Sequence, residues 1–308
     1  MSLSALLRQD PPKLLVAVAM RKETECLLPY AEHYTRLCSE PFPYYRCTVA
    51  GQNIAIAECG IGKSNAAAAV AYCLALAPEV QAVLNVGVSG GLAPQARVGD
   101  LLLGERYLYH DVWCGTGNAP GQVQGLPPFF PADERLMQAV FGAEPTPLNA
   151  PSPTATHTPP EEGQIRSGSK KHLVRIKSSL DPDQKNISSA PNLSPSADLL
   201  PAEETGLCLP PVCGDFCTGD RFIPDPSALK RLLEQYPRCI SVDMESAAMA
   251  QICFRLGVPF LSVRVVSDTP LSAHNHTLQY QNFWLHRPDR AFAFFPALVS
   301  HLYSTLSV

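Results

Sequence analysis

Short apolar runs alternate along this chain with stretches whose apolar residues recur at helical spacing. Lys13 to Met20 is a compact apolar run of strand length, and Glu23 to Tyr34 reads as a short helix. Tyr44 to Glu58 reads as a hairpin that turns at Ala50-Gly51-Gln52-Asn53. Gly60-Ile61-Gly62-Lys63-Ser64-Asn65 then opens an alanine-rich helix reaching Leu76, and Val80 to Val86 is a buried strand running into Gly87-Val88-Ser89-Gly90-Gly91. Val98 to Tyr109 is a further strand, Ala132 to Val140 a helix, and a strand ends near Phe216 before a helix from Pro226 to Tyr236. The tail from Leu278 to Leu306 is helical but interrupted at Pro288. Repeated strand–helix order of this kind predicts an α/β sandwich.

Cys239 to Pro270 is the unit around which the rest is organised: strand end, helix, tight turn, strand. Ala247, Ala248, Met249, Ile252 and Cys253 give its helix an apolar face, Gly257 supplies a stop, and Pro259 forbids continuation. Phe260 to Val266 is nearly continuous in apolar residues, as in a strand covered on both faces. Glu245 marks the start of the helix and Asp268 the carboxyl end of the strand, the edge where open parallel sheets bind ligands. A carboxylate at a helix start can accept bonds from a sugar diol. A second one among apolar neighbours and Ser267 can have a raised pKa and serve as an acid. The plainer alternative is a helix-terminal charge preference for Glu245 and a capping role for Asp268.

One segment departs from the pattern. Residues 142–204 are rich in Pro, Ser, Thr, Asn and Lys, and Pro145-Thr146-Pro147, Pro151-Ser152-Pro153 and Pro159-Pro160 suit neither a helix nor a central strand. Too little apolar surface is available there to offset ordering entropy, which predicts a disordered, low-complexity insertion within one domain spanning residues 1–308. Without it roughly 245 residues remain, a common size for one α/β domain.

Charge changes the picture mainly by exclusion. A net charge of −4 and a pI near 6.1 argue against a nucleic-acid surface, and no polybasic membrane anchor or membrane-length apolar run is present. The 11 cysteines are odd in number and scattered through apolar segments, which suits free thiols in a reducing cytoplasm. Cys208, Cys213 and Cys217 lack a paired histidine or a second Cys-x-x-Cys, and His274 and His276 read as loop residues, so no metal site is expected. Gly60-Ile61-Gly62-Lys63 before a helix suggests an anion cradle, but P-loop spacing is missing.

Several separate stretches agree on one family. They are Ala17-Val18-Ala19-Met20 with Glu23, Gly60 to Lys63 with Asn65-Ala66-Ala67, Asn85 to Pro94, Val98-Gly99-Asp100, and Tyr109-His110-Asp111-Val112. Gly121-Gln122-Val123, Phe129 to Asp133, Thr218 to Ile223, Val242 to Ala248 and Val263 to Asp268 continue in the same order. The chain resembles the 5′-methylthioadenosine/S-adenosylhomocysteine nucleosidases of the purine/uridine phosphorylase-like superfamily. That resemblance implies a single-domain three-layer α/β sandwich with a central mixed, largely parallel sheet. It also implies hydrolysis of a ribosyl–adenine bond without a metal or organic cofactor, and a homodimer that completes the 5′-substituent pocket.

By position, the resemblance implies that Glu23 activates water, Asp268 donates a proton toward adenine N7, and Glu245 holds the ribose hydroxyls, with Met244 against the sugar. Phe222 and Ile223 match the positions that stack on and hydrogen-bond adenine, and Ser267 the serine that places the catalytic aspartate. Val88, Ser89 and Gly90 fall in the loop beside the base, and Met20 and Ile61 in the pocket wall. The chemistry is consistent with these roles, because a cationic sugar, a leaving base and an attacking water each call for a carboxylate.

Two departures bear on substrate preference: Val88 stands where the family often has Ser or Thr, and Trp113 to Asn118 differs from the commoner form. A nucleoside phosphorylase is the nearest rival. It would place an arginine near Asn85, where this sequence has none, although Arg21 and Lys22 are available to an anion. A futalosine hydrolase, built on the same carboxylate logic, is a second rival, and a storage relative without turnover is a third.

Overall fold

The computed structural model describes residues 10–141, 211–223, 225–272, 275–286 and 291–306. All of these residues belong to one compact unit. The Pro/Ser-rich segment expected as an insertion lies outside the described residues, as do Cys208, His274 and Pro288.

The first strand, β1 (Leu14–Val18), is buried at every position and pairs in parallel with β4 (Gln52–Glu58) on one side and β5 (Ala82–Gly91) on the other. Two covered faces and two covered edges explain why its sequence carries no polar alternation. The expected helix at 23–34 is instead split. Helix α1 (Arg21–Leu27) gives way to a single 3-10 turn, Leu28–Tyr30, and then to an edge strand, β2 (His33–Cys38). Pro29 lacks the N–H needed to extend the α-helix, and the polar face of β2 suits an edge. The hairpin of β3 (Tyr44–Val49) and β4 turns on Ala50 and Gly51 alone, both with positive φ (49° and 72°), so Gln52 and Asn53 already belong to the strand.

Helix α2 (Lys63–Leu76) precedes β5, and β6 (Leu101–Tyr109), the short β7 (Phe130–Pro131) and α3 (Glu134–Phe141) follow it. After the undescribed segment come β8 (Val212–Thr218), α4 (Pro226–Gln235), β9 (Cys239–Asp243), α5 (Ser246–Leu256), β10 (Phe260–Asp268), α6 (His276–Leu285) and α7 (Phe295–Leu306). Gly257, at φ 67°, ends α5 where the sequence places its stop.

Among the described residues the sheet has ten strands and is mixed. The runs β4–β1–β5–β10 and β6–β8–β9 are parallel, and antiparallel pairs join β10 to β6 and β9 to β5. Strand β5 is the hub. It pairs with β1 through Ala82–Asn85, with β10 along most of its length, and with β9 through Gly90 and Gly91. Strands β5, β10, β6, β8 and β9 thereby close a ring of pairings that draws the ends of β5, β9 and β10 together. Helix α2 packs on α5 and α3 on α7, giving the α/β layering expected from the element order. Among the described residues no helix is long and apolar enough to cross a membrane.

Candidate active site

Glu23 sits in the first turn of α1 and folds back over the helix start. Its Oε2 accepts from the backbone N–H groups of Ala19 (2.8 Å) and Met20 (3.0 Å), and its Oε1 from that of Val88 (3.0 Å). Burial pushes its pKa up, opposed by the charge of Arg264 and by those three amides. The loop after β1 and the middle of β5 thus jointly aim one carboxylate.

Arg264 projects from β10 with no exposed surface. Its Nη2 donates to Asn85 Oδ1 (2.7 Å) and Ser246 Oγ (3.0 Å), and lies 3.4 Å from Asp243 Oδ2 and 3.5 Å from Glu245 Oε2. A Cβ on Gly87 would stand 2.3 Å from Arg264 Nη1 and 2.5 Å from Glu23 Oε1, so with any larger residue the end of one of these side chains would have to shift. One arginine therefore faces the carboxyl groups of Asp243 and Glu245 directly and feels that of Glu23.

Glu245 holds the N-cap position of α5, but its side chain caps nothing. Asp243 Oδ1 does that work instead, accepting from the N–H groups of Glu245 and Ser246 (3.1 Å each) and from Thr218 Oγ1 (2.7 Å). Glu245 is left to accept from Gly62 N–H (2.9 Å) and to face Arg264, and its pKa is pushed up to about 7 by burial, against the pull of Arg264. The plainer reading of Glu245 as a helix-end charge is thus not what the geometry favours.

Asp268 ends β10, and no described helix begins at it, since α6 is capped by Asn275. Its Oδ1 lies 2.7 Å from Ser267 Oγ, whose single O–H has that carboxylate and the Ser89 carbonyl (3.2 Å) as its two acceptors. Burial raises the Asp268 pKa, while the Ser267 bond and His276 oppose the rise. The ring of His276 lies 3.9 Å from Asp268 Oδ2 and 5.7 Å from the ring of Phe222. His276, read from sequence as a loop residue, opens α6 beside this carboxylate.

Gly90, Phe222, Ile223, Met244 and Asp268 line one cleft. Phe222 is 58 % exposed at its mouth. Ser89 is buried behind it, its hydroxyl accepting from Ser241 Oγ (2.7 Å), and Val88 contributes its backbone amide to Glu23. Met20 and Ile61 are not in that lining. Met20 Sδ is 3.9 Å from Tyr280 Oη, and Ile61 is half exposed on the loop before α2.

Sequence reasoning missed Arg264, Asp243, Gly87 and His276. A signal for Arg264 was present: a lone cation inside an otherwise apolar, doubly covered strand requires carboxylate partners. The expectation that Asn85 leaves its surroundings without an arginine is corrected by the fold, since β10 brings Arg264 onto Asn85. Arg21 pairs with Glu25 (2.8 Å) on the surface, and Lys22 lies 5.6 Å above the Trp284 ring, so both proposed anion binders are otherwise engaged.

The sequence model of one family, the phosphorylase superfamily, matches residues 13–294, and the chain belongs to that superfamily. The 5′-methylthioadenosine/S-adenosylhomocysteine nucleosidase of Anoxybacillus flavithermus is 30 % identical over 252 residues, covering 81 % of this chain and 82 % of the relative. That of Tolumonas auensis is 26 % identical over 83 % of this chain and 86 % of its own. Within the superfamily this chain is a member of the family of those nucleosidases. Among solved structures, the Neisseria meningitidis nucleosidase in complex with methylthio-immucillin-A shares the fold at TM-score 0.65 and 24 % identity, over 95 % of this chain and 98 % of that one. The futalosine hydrolase of Helicobacter pylori shares it at TM-score 0.64 and 17 % identity, over 95 % and 97 %. Overall shape therefore does not separate these two activities.

Proposed function

We propose that this site hydrolyses the N-glycosidic bond of 5′-methylthioadenosine and/or S-adenosylhomocysteine, releasing adenine and the 5′-thioribose. The observation that carries the reading is the division of the carboxylates. Glu23 and Glu245 share Arg264 at one end, and Asp268 stands apart beside the cleft with its own serine. Asp268, with its raised pKa, is suited to hold a proton and pass it to the leaving base. Glu23, held by three amides and raised in pKa by burial, is suited to take a proton from water. Glu245 accepts the sugar diol, and an ionised carboxylate beside the sugar favours the cationic transition state.

The same carboxyl groups weigh against phosphate as nucleophile. An arginine is present, but Asp243 and Glu245 already pair with it and Glu23 lies within its field, so a phosphate would compete with carboxyl groups for one cation. Phe222 and Ile223 take the base in this reading, Met244 lies under the sugar, and no cofactor is needed for any of the steps.

Ile61, next to the Gly62 whose amide reaches Glu245, is 51 % exposed and Trp113 63 % exposed, and these apolar surfaces support a second copy of the chain as the cover of the 5′-substituent end. All ten described cysteines are free, which supports work in the reducing cytoplasm.

Product analysis over methylthioadenosine, adenosylhomocysteine, adenosine, inosine and futalosine, with and without phosphate, tests the proposal. Adenine and free thioribose in phosphate-free buffer are expected. Appearance of the sugar 1-phosphate, with turnover stopping when phosphate is withheld, would replace the reading with a phosphorylase. Preference for futalosine would replace it with that hydrolase.

A further inference from the structure

Three charged side chains have no role in the chemistry above, although each lies in a motif beside it: Lys63 of Gly60-Ile61-Gly62-Lys63, Asp111 of Tyr109-His110-Asp111 and Asp220 of Thr218-Gly219-Asp220. Their polar groups nevertheless converge on one another. Lys63 Nζ lies 2.7 Å from Asp111 Oδ1 and 3.7 Å from Asp220 Oδ2. The Lys63 backbone N–H donates to Asp220 Oδ1 (2.8 Å), and the Asp220 N–H donates to Asp111 Oδ2 (2.8 Å). The ammonium also sits 5.3 Å above the Tyr109 ring. A Cβ on Gly62, where φ is 97°, would come within 3.1 Å of Asp220 Oδ1, so glycine permits this close approach.

The two ends of this cluster lead directly into the site. Gly62, the residue before Lys63, gives its N–H to Glu245 Oε1 at 2.9 Å. Asp220 is two residues from Phe222 and three from Ile223, both in the lining of the cleft. One lysine and two aspartates therefore tie the amide that aims the diol carboxylate to the loop that carries the base contacts. Asp111 stays below the usual carboxylate range although burial acts to raise it, because the Lys63 and Asp220 bonds prevail.

We infer that Lys63 is a positioning residue of the nucleoside site, clamping Asp111 and Asp220 so that the loop at 219–223 and the Gly62 amide are held in register for one substrate. The inference rests on the activity proposed above. Without the ammonium, two carboxylates joined only through one N–H would repel, and the base loop would be released.

Calorimetric binding of adenine, which needs no turnover, reads the base end, and steady-state kinetics with methylthioadenosine reads the rest. Lys63→Met is expected to weaken adenine about tenfold and to raise KM similarly, the lower end for loss of a charge-assisted hydrogen bond, with kcat within about threefold. Lys63→Arg should recover part of the loss. Adding Asp111→Asn to Lys63→Met should recover part too, since one repelling charge is gone. Adenine affinity within twofold of wild type in Lys63→Met, or no recovery in either second variant, would overturn the inference. If Lys63→Met does not fold, Asp220→Asn, altered at the more exposed corner of the clamp, must show the same weakening of adenine, or the inference fails. Wild-type protein that binds adenine but cleaves no nucleoside would sink the proposed activity and leave the clamp standing. Wild-type protein that does not bind adenine would sink both.

Discussion

Arg264 Nη2 stands 3.5 Å from Glu245 Oε2 in surroundings where the arginine side chain has no exposed surface and the glutamate side chain only 6 %. Separated from water, neither charge is stable alone, and removing one partner of such a buried pair typically costs about 3–5 kcal/mol. The pair also lies between Glu23 and the cap of α5, so the chemistry at the sugar and the start of a helix share one cation. The site's electrostatics are in this sense part of its architecture.

Glu23→Gln and Asp268→Asn are each expected to lower kcat by at least about a hundredfold, the usual scale for a positioned base or acid. Both replacements keep the shape of the side chain. Purified variants with wild-type melting behaviour and near-normal turnover would remove these residues from the mechanism.

Gly87→Ala tests the close placing of Glu23 and Arg264 on either side of Gly87. The added methyl would lie 2.3 Å from Arg264 Nη1 and 2.5 Å from Glu23 Oε1, so one of the two groups must move. Overpacking of this kind typically costs about 1–3 kcal/mol, and loss of activity should exceed what the drop in melting temperature explains. Gly51→Ala, in a turn at φ 72° with open space around it, is the control: strained, distant and active. Equal activity in the two variants would contradict the close packing.

Glu245→Gln should change the pH dependence of stability. The folded-state pKa of Glu245 is raised from 4.5 to about 7, so the folded protein holds this proton more tightly than the unfolded chain. Its contribution is fully present below about pH 4.5 and is lost as pH rises through about 7, a change of about 3 kcal/mol. Glutamine carries no such charge. Whatever the fixed cost of leaving Arg264 without this partner, the melting temperature of the variant relative to wild type is therefore expected to rise by roughly 5–10 °C between pH 4.5 and pH 8. A difference that does not vary with pH, followed by scanning fluorimetry, would count against the raised pKa.

Replacing residues 152–201 with a short Gly/Ser linker should leave kcat/KM within a few fold and the melting temperature nearly unchanged. The described core runs from α3, ending at Phe141, to β8, beginning at Val212, and holds the site on both sides of that span. Loop-closure entropy changes by only about 0.6 kcal/mol per doubling of length. Loss of activity or of cooperative melting would assign the segment a role in the core.

Local chemistry determined much of this protein directly in its sequence. Leu14 to Val18 and Phe260 to Val266 read as strands because a doubly covered strand needs no polar face. Gly257 and Pro259 read as the end of α5 because both act through their own backbone. The carboxylates Glu245 and Asp268 were legible as groups at the ends of elements, where ligands gather in such sheets, whereas Glu23 was singled out only by the family resemblance. Strand β2 was not legible, since an edge strand with an exposed polar face carries little apolar pattern to distinguish it from a helix end. Nor was the arginine beside Asn85, because the two residues are far apart in sequence and meet only through the register of β10 on β5. Which of Asp243 and Glu245 caps α5 was likewise decided by tertiary structure. Both are acidic and both lie near the helix start, but Thr218 and the α5 amides claim Asp243, while Gly62 and Arg264 claim Glu245. Pattern and propensity are properties of neighbouring residues, whereas the pairing of buried charges depends on which strands the sheet brings side by side.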